Sequence, residues 1–243
     1  MDKIPKKIHY CWFGKKEKPY IVNKCIESWK NKLKDYEIIE WNENNFNINS
    51  NEFVSEAYNM GKYAFVSDYV RVYALYNYGG VYLDTDVEVI KSFDDFLDNE
   101  SFWGFEECNR IATSTIGCKK GNKLIKLFLE SYTDKRFIKE DGTIDVTPNV
   151  CAITDILSKQ GAELNGKFQE INGMAKIYEQ EYFSPYDYIN CYMKKTKNTY
   201  CIHHFYKSWL PFSSRVKSSI KKLLAKIIGG HRIVKLREVL SRV

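Results

Sequence analysis

The feature that most constrains the fold is one segment, residues 62 to 90, which reads as a long helix, a Gly-Gly pair and a strand. Apolar and aromatic side chains recur there at helical spacing and predict a helix over Lys62 to Tyr78. Gly79-Gly80 is typical of a helix C-terminus, and residues 81 to 90 then alternate as a strand. Helices and strands alternate in the same way through the first half of the chain. The sequence therefore predicts an α/β fold with a mostly parallel central sheet flanked by helices.

The other predicted elements follow from the same periodicities. Predicted strands cover residues 4–13, 36–41, 101–106, 111–118 and 199–205, and predicted helices cover residues 20–33, 53–60, 122–132 and 149–159.

Polar side chains lie on one face of the predicted strand over residues 81 to 90. Side chains two apart on a strand share a face, so Tyr82, Asp84, Asp86 and Glu88 are expected to point the same way. Two carboxylates one residue apart make a hard-oxygen site suited to Mg²⁺ or Mn²⁺, with positions left for substrate oxygens such as those of a diphosphate. Asp-x-Asp also arises by chance on polar strand edges, so this pattern alone leaves both interpretations open.

A second charged pair, Asp68 and Arg71, lies three residues apart on the preceding helix and shares one of its faces. Such a pair on a solvated helix face contributes little to stability. The neighbouring positions are apolar here, which favours a partly buried pair at an end of the sheet. Buried charge pairs of this kind more often serve a function than exposed ones.

Three sequence blocks together resemble glycosyltransferase family 32, the sugar-transferring domains with an Asp-x-Asp motif, and the related clostridial glucosylating toxins. The central block reads S-D-x-x-R followed by G-G-x-Y-x-D-x-D, over residues 67–71 and 79–86. The first block is IPKKIHYCW at residues 4–12, and the last is His203-His204 followed by Ser208-Trp209. The blocks span most of the chain in the family's order. The resemblance implies a nucleotide-diphosphosugar transferase fold of the GT-A type and retention of anomeric configuration.

The resemblance also implies a metal site, with Mn²⁺ or Mg²⁺ as cofactor. Asp86 is expected to bind the metal, and Asp84 to contact the metal or the donor's ribose and sugar. One of His203 and His204 is expected to complete the site. Because the two histidines would lie on opposite faces of a strand, only one can serve, and His203 is slightly favoured.

Further roles carried over from the resemblance concern the donor. Asp68, Arg71 and Asp84 are expected to be the catalytic residues. The expected donor-binding residues, several of which repeat those already named, are Tyr10, Trp12, Asp68, Arg71, Tyr82, Asp84, Thr85, Ser208 and Trp209. Within this set Trp12, with Tyr10 beside it, is expected near the nucleotide base.

The predicted activity is transfer of a hexose from a nucleotide sugar to a glycan or lipid-linked acceptor, in synthesis of a bacterial surface polysaccharide of capsular or lipopolysaccharide type. A UDP-sugar is the favoured donor and GDP-mannose is the alternative. A metal-dependent phosphoesterase is a rival, but it usually needs ligands for two ions, and no second cluster is seen. The other rival is a non-catalytic nucleotide-sugar or glycan-binding module tethered to a membrane complex.

The net charge of +6 is concentrated at the C-terminus. Residues 213–243 contain nine Lys and Arg against one Glu, a net +8, which leaves −2 for residues 1–212. A body that is not basic argues against a nucleic-acid partner. The sequence thus divides into a predicted catalytic domain, 1–212, and a basic tail, 213–243.

The tail, residues 213–243, also carries apolar side chains at helical spacing between Ile220 and Leu240. A basic amphipathic helix suggests binding to an anionic membrane surface, with packing on the body or oligomerisation as the alternative. The N-terminus lacks the apolar stretch of a signal peptide, and the seven cysteines include no C-x-x-C pair. We therefore expect a cytoplasmic protein, or one peripheral on the inner face of the cell membrane.

Overall fold

The computed structural model describes residues 2–188 and 190–206. Its helices are α1 Tyr20–Lys32, α2 Glu52–Asn59, α3 Tyr63–Tyr78, α4 Lys123–Glu130, α5 Asn149–Lys159 and α6 Gln180–Phe183. Its strands are β1 Lys7–Cys11, β2 Glu37–Trp41, β3 Gly80–Leu83, β4 Val87–Val89, β5 Ser101–Glu107, β6 Arg110–Ile111, β7 Thr115–Cys118, β8 Gln169–Ile171, β9 Ala175–Tyr178, β10 Tyr186–Asp187, β11 Tyr192–Met193 and β12 Cys201–His203.

The main sheet runs in the order β2-β1-β3-β7-β5-β9-β8, with β6 paired to β5. Strands β2, β1 and β3 are mutually parallel, and β9 is parallel to β5. Because β7 is antiparallel to both β3 and β5, those two strands run in the same direction, and β7 and β8 are the two reversed strands of the path. The predicted α/β fold, with a central, largely parallel sheet flanked by helices, is confirmed.

Two hydrophobic clusters cover the two faces of the sheet. On one face, Val66 and Val70 of α3 pack in a cluster with Tyr82 of β3. On the other, Trp29 of α1 packs in a cluster with Val81 of β3. The alternation of β3 residues between the clusters follows from the two-residue period of a strand, and it fixes which side chains face α3.

Both glycines at the junction of α3 and β3 are required by the backbone. Gly79 caps the helix with φ +64° and Gly80 has φ +106°, in the region that favours glycine. A Cβ on Gly80 would lie 2.7 Å from the carbonyl oxygen of Lys7 on β1. The pair thus ends α3, as the sequence predicts. It also lets β3 lie directly beside β1.

The predicted strand over residues 81–90 is wrong in one respect, because it is two strands. β3 ends at Leu83, and β4 begins at Val87 in a separate two-stranded sheet with β12. Between them Val87 N–H donates to Asp84 O at 3.0 Å, closing a β-turn, and Asp84 N–H donates to Ser114 O at 2.8 Å. The Asp-x-Asp segment is therefore a turn at the joint of two sheets.

The boundary predicted near residue 212 and the basic tail lie outside the described residues. Within the part of the chain that the structure describes, no helix combines the length and apolarity needed to cross a bilayer.

Candidate active site

The polar residues singled out in the sequence lie where parallel strands end. β1 and β3 are parallel neighbours, with Ile8 opposite Val81, so the residues that follow them emerge at the same edge of the sheet. Trp12 follows β1, and Asp84 follows β3. In open α/β sheets, ligands bind in the crevice outside the carboxyl ends of the strands. The fold therefore places these residues at the expected binding edge.

Three side chains form a cluster with metal-ligand spacing at this edge. Asp84, Asp86 and His203 each offer one ligand atom, and these atoms all lie within 4.8 Å of one another. The turn after β3 supplies the two carboxylates. The histidine comes from β12, whose antiparallel pairing with β4 sets His203 opposite Val87. Residues over a hundred positions apart thus meet because a short second sheet follows the turn.

Charge and hydrogen bonds tie Asp86 to its neighbours. His203 Nε2 lies 3.4 Å from Asp86 Oδ1, and the backbone N–H of Tyr206 donates to Asp86 Oδ2 at 2.7 Å. Burial raises the pKa of Asp86, but the His203 charge and these hydrogen bonds outweigh it and lower the pKa to about 2. Burial lowers the pKa of His203, yet attraction to Asp86 and to Asp84 raises it to about 9. Without a metal, the cluster therefore holds a proton on its histidine.

His204 lies outside this cluster. Its Nε2 is 2.9 Å from Glu88 Oε2, which also contacts Lys24 Nζ at 3.3 Å. Its backbone N–H donates to Asp86 O at 3.0 Å. The structure thus brings the His203 side chain to the two aspartates, as slightly favoured from the sequence, and pairs the His204 side chain with Glu88 instead. Strand alternation predicted that Glu88 would share a face with Asp84 and Asp86, and this prediction is wrong.

Asp68 and Arg71 form a buried pair beside the cluster, since their side chains are 15% and 6% exposed. Arg71 Nη2 donates to Asp68 Oδ1 at 2.8 Å, while Nη1 donates to Thr113 O at 2.8 Å and lies 3.3 Å from Asp84 Oδ1. Burial raises the pKa of Asp68 to about 7 in spite of the attraction to Arg71. This burial excludes the interpretation of Asp68 and Arg71 as a solvated surface pair. The Arg71 guanidinium contacts both Asp68 and Asp84.

Tyr82 supports the site from within the sheet. Its side chain is fully buried, its hydroxyl donates to Asp84 Oδ1 at 3.0 Å, and the Arg71 guanidinium lies 4.6 Å from its ring centre. This differs from the expected position lining an open donor site. Tyr82 instead holds Asp84 in place.

The predicted nucleotide-base residues, Tyr10 and Trp12, pack against the same hydrophobic cluster. Tyr10 is buried within it, where its hydroxyl donates to Glu40 and its ring packs on Trp29. Trp12 is half-buried at the binding edge, and its Nε1 donates to Lys16 O at 2.6 Å. The roles of Tyr10 and Trp12 at the base stay predictions. Thr85 lies in the turn itself, and Ser208 and Trp209 lie outside the described residues.

Asn149 lies near the site through its contact with Thr113, a contact that the sequence did not predict. Thr113 Oγ1 donates to Asn149 Oδ1 at 2.9 Å, and the Thr113 carbonyl already binds Arg71. Asn149 is buried, and its Nδ2 has no hydrogen-bond partner among the described residues. The sequence predicts that a helix begins at Asn149. Only the fold shows that this helix begins beside Thr113, which binds Arg71.

One protein family model matches the part of the chain that carries the Asp-x-Asp turn. This model, described as a glycosyltransferase sugar-binding region containing a DXD motif, matches residues 19–103, which include α3 and the Asp-x-Asp turn. No curated protein matches the chain.

Two solved structures are similar to this one. The first is the PaToxG glycosyltransferase, at 17% identity and TM-score 0.48, covering 66% of this chain and 70% of its own. The second is a glycosyltransferase involved in glycosylation of the major capsid of PBCV-1, at 11% identity and TM-score 0.48, covering 88% of this chain and 98% of its own.

The matched region and the cluster support assignment of the chain as a glycosyltransferase, which confirms the predicted enzyme class. The narrower assignment to family 32 stays a prediction.

Proposed function

We propose that this chain is a metal-dependent, retaining glycosyltransferase of the GT-A type that uses a nucleotide-sugar donor. The observation that carries the proposal is the juxtaposition of two sites. The Asp84, Asp86 and His203 cluster offers ligands for a cation, and the buried Asp68–Arg71 pair lies beside it, joined through Asp84. One site suits a diphosphate and the other suits sugar hydroxyls.

The ligand set fits a divalent cation and favours Mn²⁺ over Mg²⁺. Two carboxylates and one imidazole supply three protein ligands, which leaves coordination positions for phosphate oxygens. Imidazole is a better ligand for Mn²⁺, a transition metal, than for Mg²⁺, which prefers oxygen donors throughout. When bound, the cation stabilises the negative charge that develops on the departing nucleoside diphosphate.

The buried pair is suited to hold the sugar. Asp68 accepts from Arg71 through Oδ1, so we assign its Oδ2 to a sugar hydroxyl. Arg71 is held by four partners, Ser67, Thr113, Asp68 and Asp84, so it orients both aspartates towards the donor. The unpartnered Nδ2 of Asn149 is a further donor for a hydroxyl at this place.

We infer the course of the reaction from this arrangement. The acceptor hydroxyl oxygen forms a bond to the anomeric carbon as the bond from that carbon to the diphosphate oxygen breaks. The hydroxyl proton leaves with the nucleoside diphosphate. Because both events occur on one face of the ring, the configuration is retained and no enzymic nucleophile is needed. Asp68 and Asp84, as carboxylates near the ring, favour its oxocarbenium character.

The donor and acceptor are proposed more broadly. A UDP-hexose is favoured over GDP-mannose by the resemblance of the Asp-x-Asp block to the glucosylating toxins. The basic tail, with nine cationic residues in 31, suits a lipid-linked acceptor at the inner face of the cell membrane. This supports a role in assembly of a capsular polysaccharide or lipopolysaccharide by a cytoplasmic, peripheral enzyme.

A donor panel tests the proposal. Purified full-length chain is incubated with UDP-glucose, UDP-galactose, UDP-N-acetylhexosamines and GDP-mannose, with Mn²⁺, with Mg²⁺ or with EDTA, and release of nucleoside diphosphate is measured. We expect release from one UDP-hexose with Mn²⁺ and none with EDTA. Binding of a donor without release would favour the non-catalytic module. Release of nucleoside monophosphate would favour the phosphoesterase.

A further inference from the structure

His203 has one ring nitrogen without a partner. Its Nε2 faces Asp86 in the cluster, while its Nδ1 is buried and receives or donates no hydrogen bond among the described residues. A buried polar atom left in this state destabilises the fold. Histidines that bind metals almost always donate their other ring N–H to a carboxylate, a carbonyl or a water. We therefore expect a hydrogen-bond acceptor near His203 Nδ1.

A carboxylate is directed to this place by an irregularity in β5. The pairing of β5 with β6 joins Phe105 to Ile111 and Glu107 to Arg110, so Glu106 is the extra residue of a β-bulge. A bulge turns a side chain away from the regular alternation, and bulges are common beside active sites. Because β5 runs in the same direction as β3, its C-terminal end reaches the edge of the sheet that carries the cluster.

The surroundings of the bulge fix its backbone but leave the Glu106 carboxylate unbonded. Gln180 Nε2 donates to the carbonyl oxygen of Glu106 at 2.7 Å, and Tyr188 donates to the carboxylate of Glu107 at 2.6 Å. Within the described residues the Glu106 carboxylate itself receives no hydrogen bond. The Tyr188 ring lies 4.6 Å from the ring of Phe205, and the Phe205 ring lies 3.9 Å from that of His203, so the bulge and His203 lie side by side. Burial raises the pKa of Glu106, and the His203 charge opposes that rise.

We propose that Glu106 is the positioning residue of the metal site, whose carboxylate accepts the Nδ1–H of His203 directly or through one water. This hydrogen bond would keep the proton on Nδ1 and aim the Nε2 lone pair at the space between Asp84 and Asp86. Glu106 then acts through His203 and is not itself a ligand. The inference rests on the proposed function only in assuming that the cluster binds a cation.

Calorimetry of Mn²⁺ binding to the purified full-length chain tests the role. Glu106→Ala should weaken Mn²⁺ affinity about 10- to 100-fold, the usual cost of losing such a partner. Glu106→Gln keeps an acceptor oxygen and should lose less. The matched control is Glu107→Gln, one residue along the strand, which keeps an acceptor for Tyr188 and should bind Mn²⁺ as the wild type does. Equal affinity of Glu106→Ala and wild type overturns the proposal.

A double-mutant cycle separates a positioning role from direct ligation or general support of the fold. If Glu106 acts through His203, then Glu106→Ala should change Mn²⁺ affinity less than about 2-fold once His203→Ala is present. A loss as large as in the wild-type background overturns the proposal. Thermal unfolding without metal checks that the variants fold. If Glu106→Ala does not fold, the same cycle is run with Glu106→Gln and read by the same criterion.

A metal-free measurement keeps this inference distinct from the proposed function. In nitrogen-15 NMR spectra of the histidine side chains, a protected Nδ1–H signal from His203 is expected in the wild type and in Glu107→Gln. Its loss in Glu106→Ala, or in Glu106→Gln where the alanine variant does not fold, supports the hydrogen bond, and its persistence overturns it. Absence of donor turnover would overturn the proposed function alone.

Discussion

Two histidines, the buried His9 and the half-buried His203, lie in different surroundings. His9 accepts a hydrogen bond from Trp41 Nε1 at 3.1 Å, and its Nε2 donates to the carbonyl oxygen of Gly79 at 2.8 Å. His203 has one nitrogen against Asp86 and the other without a partner in the described structure. Burial lowers the pKa of His9 to about 4, whereas neighbouring carboxylates hold that of His203 near 9 in spite of burial.

The difference separates a structural histidine from a functional one. His9 is neutral and fully bonded, and it joins β1 to β2 and to the end of α3. His203 lies among carboxylates that repel one another, an arrangement that is costly unless a cation is shared. The two histidines differ most in the number of satisfied ring nitrogens and in the sign of the neighbouring charge.

Asp86→Asn should have the largest effect on the functional side of this comparison. The cation would lose a charged ligand, while the turn and the Tyr206 contact can persist, since an amide oxygen still accepts. We expect at least a 100-fold loss of donor hydrolysis at limiting Mn²⁺ from a protein that still folds, although the lost pairing with His203 lowers its thermal midpoint. The matched control is Asp98→Asn, an exposed surface carboxylate. Near-normal turnover of Asp86→Asn would show that the metal assignment is wrong.

Arg71→Ala should weaken donor binding by about 10- to 100-fold, because the guanidinium holds Asp68, Thr113 and Asp84 together. It should also destabilise the fold by about 3–5 kcal/mol, since Asp68 is left buried without its partner. Donor affinity is measured by calorimetry and stability by chemical unfolding. Arg136→Ala, which removes an exposed surface arginine, is the control for both. Unchanged donor affinity would reduce Arg71 to a structural role.

His9→Gln tests the structural side through pH. Burial places the folded pKa of His9 at about 4, below the value of about 6.5 in the unfolded chain, so between these values the unfolded state binds more protons. His9 therefore destabilises the fold as pH falls from 6.5 towards 4, by about 3 kcal/mol at most. The variant should be less stable at pH 7 and should lose less stability over that interval. Equal slopes in the two proteins would contradict this.

Deletion of residues 213–243 should have the smallest effect on the site. Every residue of the cluster and of the Asp68–Arg71 pair precedes the deletion, so donor hydrolysis should stay within about 2-fold of wild type. Sedimentation with anionic liposomes should be lost, and in the full-length protein salt should weaken it. Sedimentation that survives the deletion, or that the full-length protein never shows, would indicate a packing or oligomerisation helix.

Local patterns were sufficient for most elements in the first half of the chain. The helical spacing and Gly79-Gly80 predict α3 to within a residue, and α5 was predicted with its observed bounds, Asn149–Lys159. The strand expected over residues 111–118 is instead two, since β6 ends at Ile111 and β7 begins at Thr115. Strands β8 to β11 had no predicted counterpart. They are two to four residues long, too short for a period to appear.

The site was predicted in part, because some of its contacts are local and others are not. Asp84 and Asp86 were predicted from their spacing on a continuous strand, but the structure places them in a turn. Strand alternation also predicted Glu88 on the same face, whereas the turn sends Glu88 to His204. The turn depends on the bond from Asp84 N–H to Ser114 O, thirty residues away, which no local pattern reveals.

The hydrogen bond from the Tyr206 N–H to Asp86 has a consequence for how the enzyme would reach its acceptor. Tyr206 lies at the reaction centre, and only six residues, 207–212, lie between it and the first residue of the tail. The seven Cα-to-Cα steps from Tyr206 to residue 213 can span about 25 Å at full extension. A tail lying on a lipid surface would therefore act as a short tether. It would restrict the depth at which the donor is held above the headgroups and so limit which sugar of a growing lipid-linked chain can be extended.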